Sequence, residues 1–185
     1  MENADLVRRM MADDPEALEE LMKGLQKDIF RLAYLISGNY ADSEDIVQET
    51  FVQVYLKRKN IREPEAFKTW VIRMMTRIAW RYLKKARREQ PQEDFPREES
   101  GGESLWEKVQ RKEDSKELYK AILDLPVKQR TAVILYYFEG LTAREIASVS
   151  GCLEGTVKSR LHTARKRLKE KLEGGGLPEE RRDSV

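Results

Sequence analysis

The sequence predicts an all-α protein built as two small helical domains, and three observations predict it. Leucines, isoleucines and valines recur every three or four residues instead of every two, the period of a helix face and not of a strand. Capping and breaking residues recur at helix lengths: Asp14-Pro15, Gly38-Asn39, Gly140, Thr142 and Gly151. Residues 89–113, EQPQEDFPREESGGESLWEKVQRKE, carry two prolines, a Gly-Gly pair and many acids, the composition of a flexible linker. The expected division is a first domain at 1–88, the linker at 89–113, a second domain at 114–173 and a disordered tail at 174–185.

A chain of 185 residues holds one large or two small domains, and 40% hydrophobic residues suffice for their cores. No apolar run approaches the roughly 20 residues needed to span a bilayer, and the start, MENADLVRRMMADDPEA, lacks the apolar stretch of a signal peptide. One cysteine excludes an internal disulfide framework and fits a reducing compartment, so the expectation is cytoplasmic. The net charge of +2 conceals segregation. Residues 1–66 hold 9 Lys/Arg against 14 Asp/Glu, and residues 67–88 hold 8 against 0. Residues 89–117 hold 5 against 10, and residues 142–173 hold 8 against 4. Two cationic blocks separated by acidic sequence point to two contacts with a polyanion.

In chain order, a short helix is expected over about Ala4 to Met11. Asp14 caps the second, with Pro15 in its first turn, and Leu18, Leu21, Leu25, Ile29, Leu32 and Ile36 point inward until Gly38-Asn39 ends it. Asp42 with Asp45 opens the third helix, whose buried side is expected to be Ile46, Val47, Phe51, Val54 and Tyr55. Asp45, Gln48, Glu49 and Val52 share another face. A solvated surface and the docking face of a basic protein both fit that strip.

The loop Asn60–Ala66 leads to the fourth helix, apolar on two sides: Phe67, Trp70, Met74 and Ile78 on one, Ile72, Thr76, Ala79 and Leu83 on the other. Between them runs a stripe of Arg73, Arg77, Trp80, Lys84 and Arg87. Cations around an aromatic fit phosphates with an unstacked base, as in single-strand binding. The second domain opens with Leu118, Ile122 and Leu125 on one helix. Pro126 then starts a helix whose core is Val133, Leu135, Tyr136 and Phe138, ended by Gly140.

Leu141 to Leu172 reads as a helix-turn-helix. Thr142 with Glu145 forms a capping box, and Gly151 supplies the left-handed turn. In the second of these helices Val157, Leu161, Ala164, Leu168 and Leu172 make one narrow apolar stripe. Thr156, Ser159 and Thr163 lie opposite it, with Arg160 on one flank and His162 and Lys166 on the other. Short hydroxyl donors and a guanidinium on an outward face fit the DNA major groove.

Catalysis finds little support. His162 and Cys152 are the single members of their types, and no metal-ligand spacing, nucleophile motif or phosphate-binding glycine loop occurs. The expectation is a non-enzyme with neither cofactor nor metal.

Four motifs in order, DSEDIVQETFVQVY, FKTWVIRMMTRIA, LPVKQRTAVILYYFEGLTAREIA and GTVKSRLHTARKRL, resemble a bacterial sigma factor of the sigma-70 family. The match is to the extracytoplasmic-function (ECF) group, over about residues 10–172. The resemblance implies a subunit that directs core RNA polymerase to promoters. The helix Asp42–Lys57 is similar to the segment that docks on the clamp helices of the polymerase β′ subunit, which would put Asp45, Gln48, Glu49 and Val52 at core polymerase. The β subunit is the other expected contact. The loop Asn60–Ala66 and the helix after it resemble the segment that melts and reads the minus-ten element, implying DNA contacts from Arg62, Arg73, Arg77, Trp80, Lys84 and Arg87. The helix Glu154–Lys171 resembles the reader of the minus-thirty-five element, implying Thr156, Lys158, Ser159, Arg160, His162, Thr163 and Lys166 at promoter DNA. An anti-sigma partner covering these surfaces is common in the group. Two departures stand out: Arg77 where the family often carries asparagine, and Thr163 where it commonly carries arginine. The rival reading is a helix-turn-helix regulator that binds duplex DNA without joining polymerase. A purely structural adaptor is the third.

Overall fold

The computed structural model describes residues 2–89 and 113–172, with side chains for 3–86 and 117–172, and among these every regular element is helical. The expected linker and tail lie outside the described residues, except for the ends of the linker at Glu89 and Glu113. The helices are α1 (Glu2–Met11), α2 (Pro15–Ser37), α3 (Tyr40–Lys57), α4 (Phe67–Glu89), α5 (Glu113–Leu123), α6 (Val127–Tyr137), α7 (Ala143–Ser150) and α8 (Glu154–Lys171). Two single 3-10 turns, Arg58–Asn60 and Pro64–Ala66, break the expected loop around a buried Ile61.

The first four helices form one packed group, with α2, α3 and α4 mutually in contact and α1 laid on α2. Asp14 accepts the free N–H groups of Glu16 and Ala17, and Pro15 occupies the first turn where its missing N–H costs nothing. Before it, Asp13 holds the left-handed conformation at φ 67°, which aspartate tolerates. Hydrogen bonds from Lys59 and Arg58 hold the Asp13 carboxyl below its ordinary pKa and tie this bend to the end of α3. Gly38 ends α2 at φ 76°.

Three expectations are corrected here. The cap of α3 is Asn39, whose side chain accepts the Asp42 N–H at 3.0 Å, so the helix starts before Asp42. Tyr55 is half exposed, because the Arg58 guanidinium sits 4.2 Å over its ring and Thr50 takes the interior position instead. Thr50 is tolerated there since its hydroxyl bonds the Ile46 carbonyl at 2.6 Å. Phe138 is exposed: α6 ends at Tyr137, and Ala132 and Ile134 fill the core beside Val133 and Leu135. On α4 the deepest residues are Val71, Ile72, Met75, Thr76 and Ala79, whereas Trp70 and Met74 are half-buried.

The last four helices pack around α8, which touches α5, α6 and α7. Its buried residues are Val157, Leu161, Ala164 and Leu168, four of the five in the expected stripe, while Leu172 lies just past the helix end and is half-buried. The capping box is present: Thr142 Oγ1 accepts the Glu145 N–H at 3.2 Å, and Glu145 Oε2 accepts the Thr142 N–H at 2.8 Å. Gly151 turns the chain at φ 64°. The two groups also meet each other, α4 against α7 and α2 against α6.

The Thr142 backbone and hydroxyl donors hold the Glu145 carboxyl below its ordinary pKa. A depressed carboxylate contributes stability above its ordinary titration range and loses it as pH falls through the lowered folded value. Thr142→Ala should therefore destabilise the last four helices by about 1 kcal/mol at neutral pH. Chemical denaturation at neutral pH and at acid pH checks this, and the deficit should shrink in acid.

Candidate nucleic-acid interface

The helix α4 sets Arg73 and Trp80 of the expected stripe against the last four helices. Trp80 is half-buried and its indole N–H donates to Thr131 Oγ1 at 3.0 Å, with the Lys128 ammonium 4.9 Å from the ring centre. Arg73 donates to the Ser148 hydroxyl on α7. Arg77 is exposed, with a guanidinium nitrogen 4.0 Å from where a side chain at Gly151 would begin. Lys84 and Arg62 are exposed. Arg87 lies within α4, but its side chain falls outside those described. The structure thus brings Arg73, Arg77 and Trp80 together on one side of α4 and leaves Arg62 on the turn before that helix.

On α3, Asp45, Gln48 and Val52 are exposed and share a face with the half-buried Glu49, which accepts a hydrogen bond from Arg81. Burial pushes the Asp42 carboxyl up, and the nearby Asp45 charge adds to the shift. Burial also raises the Tyr82 hydroxyl, with Glu49 and Asp45 contributing, so the field of this strip is negative. The strip is more apolar than its sequence suggests. Val52 (54%), Tyr55 (48%) and Leu56 (63%) are the large exposed hydrophobics of the first four helices. Their spacing of three and four from Val52 was the available signal, hidden by placing Tyr55 in the core. Large apolar side chains beside acids mark a protein-docking face.

On α8, Thr156, Lys158, Ser159, His162 and Lys166 are exposed, while Arg160 and Thr163 are half-buried. Lys158 pairs with Glu154 at 3.0 Å, and Arg160 reaches Cys152 Sγ at 3.5 Å across the turn. Leu153, 80% exposed at the start of this helix, extends the face with an apolar group that the sequence reading did not include. Five of the seven expected residues are therefore exposed on α8, with Arg160 and Thr163 partly covered. Behind them, α5, α6 and α8 enclose a groove of about 650 Å³ with a floor of Ile122, Val133 and Leu168 and a rim of Arg165, Lys166 and Lys169. Among the described residues no group of three or more His, Cys, Asp and Glu is placed to hold a metal ion, and no helix is long and apolar enough to cross a membrane.

These surfaces coincide with two family models: residues 21–89 match sigma-70 region 2, and residues 115–168 match sigma-70 region 4. The chain is 32% identical over 180 residues to the ECF RNA polymerase sigma-E factor of Salmonella typhimurium strain LT2, covering 91% of this chain and 93% of that one. The chain belongs to the ECF group of RNA polymerase sigma factors. This sigma factor is also 27% identical over 179 residues to the ECF sigma factor SigW of Bacillus subtilis, covering 90% of this chain and 94% of that one. With the ECF sigma factor SigE of Mycolicibacterium smegmatis it shares 34% identity over 160 residues, 83% of this chain but 61% of that longer one. Among solved structures, the sigma factor RpoE of Bartonella quintana, in complex with the anti-sigma factor NepR, superposes with a TM-score of 0.70 at 24% identity, covering 85% of this chain and 98% of that one. CnrH, in complex with the cytosolic domain of CnrY, gives 0.67 at 18%, covering 94% and 99%. At those identities the likeness is one of fold.

The α3 face generates a prediction. Val52→Glu with Leu56→Glu should leave the melting temperature nearly unchanged, since both side chains are solvent-exposed. Affinity for purified core polymerase should fall by roughly tenfold or more, the equivalent of about 1.4 kcal/mol or more. Fluorescence titration against core polymerase reads both the loss and its size.

Proposed function

We propose that this sigma factor works as two domains, 1–88 and 114–173, that hold core polymerase, duplex promoter DNA and melted DNA on separate surfaces. The acidic and apolar face of α3, with Asp45, Gln48, Glu49 and Val52, takes the β′ clamp helices. Carboxylates there meet cations while Val52, Tyr55 and Leu56 bury apolar area. The groove behind α8, apolar in its floor and with Arg165 and Lys169 at its rim, takes the β subunit. The outward side of α8 enters the major groove at the minus-thirty-five element. Hydroxyls of Thr156, Ser159 and Thr163 read base edges or thymine methyl groups there, and Lys158, Arg160, His162 and Lys166 hold phosphates.

The minus-ten element falls to α4 and the turn before it. Unpairing a base costs a few kcal/mol, which stacking on Trp80 and phosphate contacts from Arg62, Arg73, Arg77, Lys84 and Arg87 offset. The observation that carries this reading is the juxtaposition of a helix with eight cations and a single acid at its end and a capped helix-turn-helix in one chain. The protein supplies binding and no bond chemistry of its own, and its place of action is the cytoplasm with the polymerase. A protein of the anti-sigma kind is the expected regulator, as the sigma factor RpoE of Bartonella quintana was solved with one.

Transcription from a promoter library with purified core polymerase tests the proposal. Start sites that depend on this chain, with two shared upstream elements, are the expected result. Thr163→Arg should change the preferred upstream element while leaving the melted one alone. Asp45→Arg should abolish all such starts. Duplex binding without any new starts would instead establish the regulator that works apart from polymerase.

A further inference from the structure

The contact between the two helix groups is polar, and it uses the stripe that the proposed function assigns to melted DNA. At its centre Glu139, just after α6, has a side chain only 4% exposed. Its carboxylate lies 2.8 Å from Arg31 on α2 and 3.2 Å from Lys68 on α4. Burial pulls the Lys68 ammonium down, but the hydrogen bond it donates to Asp28 and the charge of Glu139 outweigh it and hold the group above its ordinary pKa. A carboxylate this buried is held only where cations meet it, so Glu139 belongs to the closed arrangement. Around it, Arg130 of α6 donates to the Ile36 carbonyl at the end of α2 at 2.7 Å. Leu123 packs on Gly38, where its methyl lies 2.9 Å from the position a Cβ would take.

This contact covers Arg73 and Trp80 in part, leaves Arg77 and Lys84 exposed, and spares the surfaces on α3 and α8. Trp80 and Arg73 are engaged by Thr131 and Ser148, which sit on α6 and α7. The face of α3 and the outward side of α8 stay exposed. The closure also carries a cost, because the Nε atoms of Arg31, Arg73 and Arg130 are buried there with no hydrogen-bond partner among the described residues. We infer that this chain inhibits itself: a clasp of Glu139 between Arg31 and Lys68 keeps its own second helix group on the Trp80 stripe, so the closed protein meets polymerase and duplex DNA but does not hold unpaired DNA until the clasp opens. The inference rests on the DNA assignment of that stripe, and the clasp itself is testable apart from it.

The test uses the full chain with Trp70 and Trp106 replaced by Phe, so that acrylamide quenching reports Trp80 alone. Glu139→Arg sets a third cation beside Arg31 and Lys68 and should open the contact. Quenching of Trp80 should rise clearly, and affinity for oligothymidylate without polymerase should rise by roughly tenfold, since apparent affinity scales with the fraction of open molecules. Adding Arg31→Glu to Glu139→Arg restores a pair of opposite charges and should return both readouts towards the parent values. Glu139→Gln, which keeps the shape, should shift them in the same direction by less, and serves if the charge reversal does not fold. Quenching unchanged in a folded Glu139 variant overturns the clasp. Quenching that rises with no gain in oligothymidylate affinity upholds the clasp and overturns the DNA assignment of the stripe.

Discussion

The helix α4 has to satisfy two apolar sides and a cationic stripe at once, and the rest of the architecture follows from that demand. Its first 22 residues, Phe67 to Arg88, include eight cations and no acid, and Glu89 at its end is the one carboxylate in the helix, so most of the neutralising charge has to come from another element or from a ligand. Val71, Ile72, Met75 and Ala79 bury themselves among the first four helices, while Arg73 and Trp80 look the other way. Glu49 reaches Arg81 from α3, and Glu139 reaches Lys68 from beyond α6. These pairs answer only part of the charge. Arg77 and Lys84 remain exposed, and a phosphate backbone is the natural polyanion to complete the set.

The same demand explains why the surfaces of this sigma factor differ in availability. The strip on α3 owes its exposure to geometry: Val52 and Leu56 sit one turn apart on the side away from α2 and α4. The outward side of α8 is open because its narrow apolar stripe is fully consumed by α5, α6 and α7. Only the stripe of α4 is shared between uses, since the groups that bind it in the closed chain, Thr131 and Ser148, offer hydrogen bonds of the kind that a nucleotide also offers. A surface with two competing occupants is a natural point of control, and it needs no residue with special chemistry.

Much of this was legible in the sequence, for physical reasons. Helix existence and caps are local: Asp14 with Pro15, Thr142 with Glu145, and the left-handed Gly38 and Gly151 are set by neighbours within four residues. The face of α8 was legible because a single apolar stripe leaves one opposite side. The misreadings came where tertiary contacts decide. Tyr55 has helical spacing suited to the core, yet Arg58 draws it to the surface and Thr50 goes inside by bonding its own helix. Asp42 has the chemistry of a cap, but Asn39, directly after the turn at Gly38, accepts the Asp42 N–H and starts the helix earlier. Glu139 gave no sign at all: a lone acid beside Gly140 acquires meaning only when folding sets Arg31 and Lys68 around it.

The central claim is that α4 of this sigma factor holds unpaired promoter DNA, and permanganate reactivity of thymines tests it most directly. A promoter that this chain activates, mixed with core polymerase and the chain, should show a stretch of reactive thymines near the minus-ten position that is absent with polymerase alone. Trp80→Ala should retain the polymerase complex and the upstream footprint while losing most of that reactivity. Full reactivity in the Trp80→Ala complex would contradict the account, because the melted strand would then be held by some other surface.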